Sequence, residues 1–151
     1  MTKPIEAEST ARSVTGFLWP VRIYYEDTDA GGVVYYANYL KFMERARTEL
    51  LRHHGFEQDE LRAREKVIFA VRSVQVDYLA PARFNDLLRV RTEILHAGRA
   101  SLTFGQDVLR EADGRLLCRG EIKVACLDSD TFRVRAIPDA MQTIIEGSPR
   151  R

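Results

Sequence analysis

"YYEDTDAGGVVYYANYLKFMERARTELLR", residues 24 to 52, joins two aspartates, a double glycine and a long amphipathic run. Turned at about 100° per residue, Tyr39, Leu40, Phe42, Met43, Ala46, Leu50 and Leu51 fall within about half of a helical wheel. Lys41, Arg45, Thr48 and Arg52 take the other half. The spacing predicts a helix over residues 37–54, with Asn38 as its N-cap and Gly55 stopping it after His54. An apolar arc that wide on so short a helix calls for a sheet curled against it.

The flanks supply the sheet. Upstream, "FLWPVRIYYE" (17–26) reads as a strand rich in aromatic and β-branched residues, with Pro20 suited to its beginning or to an edge. After residue 66 the apolar period changes from 3.6 to 2. "VIFAVRSVQVDYL" is a long strand ending before Pro81. "DLLRVRTEIL" sets Leu88, Val90, Thr92 and Ile94 against Arg89, Arg91 and Glu93. "SLTFGQDVLR" follows, then an Asp-Gly hairpin turn in "EADGR", then "LLCRGEIKVACL". Short turns between these strands predict an antiparallel meander. A short charged helix around 57–65, a strand near 132–137 and a C-terminal helical piece complete the reading. One long helix and about five to six antiparallel strands make an α+β fold. Val71, Ala125 and Leu127 are expected on the sheet face away from the helix, apolar enough for another copy of the chain to cover.

The 151 residues suit one domain over 16–146, with a flexible polar lead-in (1–15) and a flexible tail (147–151). With 23 basic and 22 acidic residues interspersed, the chain offers no nucleic-acid stripe. It has no apolar run of about 18 residues for stable membrane insertion and no secretory signal core, so a cytoplasmic location is expected. Cys118 and Cys126, eight residues apart on one strand, lie too far apart to bridge and read as buried free thiols.

The remaining question is why Asp27, Thr28, Asp29 and Gly31-Gly32 stand directly before a helix. One answer is that Asp27 or Asp29 caps a turn. The other starts from the positive end of a helix dipole and its unpaired N–H groups. Glycines let backbone approach a ligand, and the N–H groups of Val34 to Tyr36 would then face a carbonyl oxygen. A carboxylate beside such donors is the minimal machinery of acyl transfer.

"DTDAGGVVYYANYLKFMERAR" resembles the signature of hot-dog-fold acyl-CoA thioesterases of the 4-hydroxybenzoyl-CoA thioesterase type, in particular the Tol–Pal-associated (YbgC-type) branch. "VRSVQVDYLAPARFNDLLRVRTEILHAGRASLTF" (71–104) resembles the same branch, so the likeness covers residues 17 to 138. The resemblance implies that Asp29 is the catalytic carboxylate, attacking the thioester or activating a water. It implies that the Tyr36 N–H polarises the carbonyl, with Gly32, Val33, Val34, Tyr35 and Asn38 against the substrate. It implies no metal or redox cofactor, an acyl-CoA substrate or an acyl carrier protein, and a homodimer or homotetramer whose subunits enclose the pantetheine arm. Members of that branch commonly carry histidine where this chain has Tyr36.

Arg83 and Arg99, in loops, either meet coenzyme A phosphates or are solvated. Glu44 is expected in an ion pair with Arg47 or Arg45. His53 and His54 suit a helix C-terminus. The rival readings are a dehydratase, which would want a histidine paired with a carboxylate, and a non-catalytic acyl-binding scaffold tied to envelope machinery.

Overall fold

The computed structural model describes residues 16–146; the expected lead-in and tail lie outside the described residues. Five strands, β1 (Phe17–Arg22), β2 (Val67–Tyr78), β3 (Leu87–Ala97), β4 (Ser101–Arg110) and β5 (Leu116–Asp128), form one antiparallel sheet in the order β1-β3-β4-β5-β2. The helix α1 (Asn38–His53) is wrapped by that sheet, the α+β hot-dog arrangement. The expected meander holds for β3-β4-β5 only. β2 crosses to the far side of β5, and β1 adds beyond β3. Alternation along a strand fixes its faces and not its neighbours, so this crossing is absent from the local pattern.

Tyr39, Phe42, Met43, Ala46, Leu50 and Leu51 of α1 are buried. Their neighbours on the sheet include Val90, Val108, Cys118 and Ile122, each essentially inaccessible. At Gly120 there is no room for a side chain: a Cβ there would sit 3.2 Å from Met43 Cε and 3.1 Å from Val76 Cγ2. The helix ends as its sequence predicts. Gly55 adopts φ +91°, its N–H donates to Arg52 O at 2.9 Å, and the Phe56 N–H donates to Leu51 O at 2.9 Å. Together these two bonds satisfy carbonyls of the last turn.

The N-terminus differs. Ala37, with helical φ −70° and ψ −19°, precedes the first turn, and Asn38 is already inside it. The Asn38 Nδ2 donates to Asp27 O at 2.9 Å, tying the helix to the preceding loop instead of capping it. β1 stops at Arg22, and Tyr25–Asp27 form a 3-10 turn in place of a strand end. Of the region 57–65, Gln58–Glu60 form a short helix α2 that continues as a π turn over Leu61–Glu65. The strand expected at 132–137 is reduced to one Leu127–Val134 bridge. A final helix α3 (Gln142–Glu146) follows, with Ile144 and Ile145 buried.

A bulge corrects the expected outer face. The β2–β5 register shifts between Val71 and Ser73, so Phe69 and Val71 lie on the same face as Val74, Val76 and Tyr78. That is the helix side, not the side opposite it. Val71 (50% exposed), Val74 (44%) and Tyr78 (45%) are left uncovered there, on a strand whose outer edge is unpaired among the described residues. Ala125 does lie on the outer face but is buried, and Leu127 is half-buried.

The outer face carries a buried charge cluster that alternation assigns to solvent. Asp107 is fully inaccessible, between Arg91 (3.1 Å) and Arg119 (3.0 Å) on the flanking strands, and Glu93 is also buried. The two cysteines are buried free thiols, and burial, with Asp107 and Asp77 nearby, pushes the Cys118 thiol up to about 12. No helix among the described residues is long and apolar enough to cross a membrane.

Candidate active site

The loop before α1 folds into a small hairpin. Thr28 and Val34 bridge across it, and the Asp29 N–H donates to Val33 O at 2.9 Å. At its tip the Gly32 N–H donates to Asp29 O at 2.9 Å, and Gly32 takes φ +81°, a conformation that favours glycine. The hairpin is held on its other side by the 79–86 loop, through the Val34 N–H to Ala82 O (2.9 Å) and a Val33–Arg83 bridge. That loop is in turn fixed by the buried Tyr39, whose hydroxyl accepts the Ala82 N–H at 3.0 Å. Burial raises the Tyr39 phenol, and the Ala82 N–H pulls it back in part.

The two aspartates have separate duties. Asp27 is structural: its Oδ2 accepts the Tyr24 N–H at 2.8 Å, and its carbonyl accepts the Tyr35 N–H and the Asn38 amide. Asp29 is half engaged. Its Oδ1 accepts the Gly31 N–H at 2.8 Å, so the turn-capping answer is correct for one oxygen. Its Oδ2 has no hydrogen-bond partner among the described residues, and the side chain is exposed in the single chain.

Of the expected N–H donors, Val34 and Tyr35 are already committed, to Ala82 O and Asp27 O. The Tyr36 and Ala37 N–H groups have no acceptor among the described residues. They open α1, where the helix dipole is positive. Tyr36 is three residues beyond Val33, the cross-hairpin partner of Asp29, so its N–H lies within roughly 10 Å of that pair.

The Tyr36 side chain is 61% exposed. Its ring lies 5.0 Å from that of Tyr35 and 6.0 Å, edge-on, from Tyr78, and the Tyr78 hydroxyl donates to Tyr36 O at 3.1 Å. Burial raises the Tyr78 phenol, so it remains a donor to that carbonyl at neutral pH. Tyr25 lies edge-on to Phe84 at 5.7 Å, joining the loop before α1 to the 79–86 loop a second time.

Gly32, Val33, Val34, Tyr35, Tyr36, Asn38 and Asp29 are thus brought together, and the bridge to Val33 brings Arg83 beside them. Arg99 is not brought there. It lies in the β3–β4 turn, at the opposite end of β3 from the 79–86 loop; eleven extended residues separate those ends by roughly 35 Å. The expected Glu44–Arg47 ion pair is absent among the described residues; Arg47 donates to Gln106 Oε1 at 2.9 Å instead. Sequence reasoning missed Tyr78 and Gln106. A polar residue at an inward position of an alternating strand was the signal for Gln106.

A sequence profile of the thioesterase-like superfamily matches residues 24–145. The chain is 50% identical over 129 residues to the acyl-CoA thioester hydrolase YbgC of Escherichia coli, covering 85% of this chain and 95% of that one. A probable thioesterase from Bartonella henselae superposes with a TM-score of 0.78 at 31% identity, over 82% of this chain and 100% of the other. A 1,4-dihydroxy-2-naphthoyl-CoA thioesterase from Synechocystis shares the fold, with a TM-score of 0.81 at 22% identity, over 87% and 96% of the two chains.

Proposed function

The chain belongs to the thioesterase-like superfamily, with YbgC acyl-CoA thioester hydrolases among its relatives, and from that premise we propose that Asp29 and the Tyr36 N–H perform thioester hydrolysis in this protein. The observation that carries the reading is a pair of unused groups at one helix end. Asp29 Oδ2 has no hydrogen-bond partner, and the Tyr36 and Ala37 N–H groups have no acceptor among the described residues.

The thioester carbonyl oxygen takes the Tyr36 N–H. That donor is fixed before the reaction begins, and it strengthens as charge develops on the oxygen. Asp29 Oδ2 either adds to the carbonyl carbon, expelling the thiolate and leaving a mixed anhydride that water then cleaves to the free acid and the carboxylate, or takes a proton from a water that adds. In both routes the C–S bond breaks and the water supplies the proton that ends on the departing thiolate. The Gly31 N–H on Oδ1 holds the carboxylate's orientation while leaving Oδ2 to react. Tyr36 contributes its main chain, so a histidine-to-tyrosine difference at this position leaves the polarising group unchanged.

The substrate is an acyl-CoA, of short-chain or aromatic acyl type, and Arg83 beside Val33 is the cation offered to its phosphates. A second copy over the β2 edge, covering Val71, Val74 and Tyr78, would close the exposed carboxylate against water. Shutting water out strengthens each electrostatic contact in the site. A homodimer or homotetramer therefore accompanies the activity, and light scattering of the purified protein tests it. Acyl carrier protein is the alternative thioester carrier.

The experiment is a panel of acyl-CoA and acyl-carrier thioesters, short, long and aromatic, assayed for released thiol. Turnover on at least one acyl-CoA is expected. Turnover confined to acyl-carrier substrates moves the assignment to that carrier. An inert protein that still binds acyl-CoA supports the scaffold reading.

A further inference from the structure

Away from Asp29, a pocket opens between the later turns of α1 and the sheet, lined by Arg47, Thr48, Phe69, Leu102, Phe104 and Val124, and also by Val71, a side chain that the proposed second copy would cover. Arg47 follows Tyr36 by eleven residues, roughly 16 Å along the helix axis. The walls are apolar on the sheet side, while α1 and the segment after it add Glu44, Thr48, Gln58 and a cation, Arg47. The Arg47 Nη1 donates to Gln106 Oε1 at 2.9 Å, and its guanidinium lies 6.0 Å from the centre of the Phe104 ring.

Gln106 cannot turn away. Both hydrogens of its amide are spent, on Met43 O at 2.9 Å and Thr92 Oγ1 at 2.8 Å, so its oxygen must face Arg47. The guanidinium is thereby aimed by a fully satisfied, buried amide. A guanidinium has five N–H donors, and one bond to a neutral amide leaves most of them for another acceptor.

No carboxylate lies within ion-pair distance of Arg47 among the described residues. Burial lowers its affinity for the proton, and the Glu44 charge opposes that only in part. Arginine cannot shed its charge at ordinary pH, so the desolvation cost of this cation persists. An incoming anion would offset it.

We propose that this pocket binds a small carboxylate, its charge on the Arg47 guanidinium and its short apolar tail against Leu102, Phe104 and Val124. A planar carboxylate matches the guanidinium fork. The room, about 60 Å³, takes on the order of four water-sized spheres, which suits a tail of a few carbons. Among the described residues Arg47 is the one cation in the lining, so the second charge of a phosphate monoester would go unmatched there. Glu44, at the same pocket, repels anions, so carboxylate affinity reflects a balance between the two side chains. The site stands whether or not Asp29 hydrolyses thioesters. If it does, the acid released from a short acyl group is a ligand of this class.

Calorimetric titration of the full chain with sodium butyrate, butyramide and butylammonium tests the proposal. Butyrate should bind at least about tenfold more tightly than its neutral isostere, the effect of a charge-assisted hydrogen bond, and butylammonium should not bind. Arg47→Met should reduce butyrate to the butyramide level, and Glu44→Gln should tighten it. Thr48→Phe, which fills the pocket without touching the Arg47–Gln106 bond, should abolish both. Asp29→Asn should bind butyrate like the wild type. Equal binding of butyrate and butyramide, no saturable butyrate binding, or binding lost in Asp29→Asn and kept in Arg47→Met would each overturn the assignment. The last result would move the carboxylate to the Asp29 site.

Discussion

Gly31→Ala and Gly32→Ala are adjacent substitutions with opposite expected consequences. A Cβ on residue 31 would lie 3.3 Å from Asp29 Oδ1, the oxygen that accepts the Gly31 N–H at 2.8 Å. The carboxylate must swing by a few tenths of an ångström and lengthen that bond. A misplacement of about 1 Å at a reacting group costs about 100-fold, so a shift of about 0.3 Å should lower kcat/KM about fourfold. The loop is exposed, and the melting temperature should hardly move, since surface changes stay within about 0.5 kcal/mol.

At residue 32 a Cβ meets nothing within 4 Å, yet φ is +81°. A side chain in the left-handed region costs about 1–2 kcal/mol. At about 2–4 °C per kcal/mol for a chain of this size, melting should fall by about 2–8 °C. Thiol-release kinetics and thermal unfolding of the two variants read both effects. Gly31→Ala working at the wild-type rate would refute the claim that the Gly31 N–H orients the carboxylate. Gly32→Ala melting at the wild-type temperature would refute the strain.

Three further outcomes are expected. Asp107→Ala removes the carboxylate that Arg91 and Arg119 share; removing one partner of a buried pair costs about 3–5 kcal/mol, measurable by urea unfolding, and a loss under 1 kcal/mol would contradict it. The Cys118 thiol, at about 12 when folded, should resist alkylation at pH 8 in the native protein and react once unfolded. Because the unfolded thiol loses its proton first, its contribution is complete below about pH 9 and declines by about 1.4 kcal/mol per pH unit towards pH 12; unfolding midpoints across that range test the sign. Tyr36→Ala keeps the main-chain N–H, so kcat should stay within about tenfold while KM changes; a loss of about 1,000-fold would assign the chemistry to the phenol.

The helix and its stop were legible because both are local. Apolar residues three and four apart set the buried face of α1, and Gly55 alone can take φ +91° without strain. The strand faces of β3 were legible for the same reason. The crossing of β2, and the bulge that moves Val71 to the helix side, were not, because they depend on a partner strand some fifty residues away. At the site, the sequence placed Asp29, Gly32 and Tyr36 together through one contiguous motif. It overcounted the free N–H groups, since the acceptor of the Val34 N–H lies on the distant 79–86 loop. Asn38 was misread because its amide had a carbonyl in reach that no spacing rule reveals. Arg47 found Gln106, on β4, where a helix neighbour was expected.

Whether position 29 supplies the reactive oxygen is tested by steady-state kinetics of Asp29→Asn on the best acyl-CoA of the panel, with folding verified by circular dichroism. Replacing one oxygen by an amide preserves shape and leaves Oδ1 to the Gly31 N–H, while removing the base or nucleophile. A fall in kcat of at least about 100-fold, with KM little changed, is the predicted result. A variant within about threefold of the wild-type kcat would contradict it and require another residue to carry the chemistry.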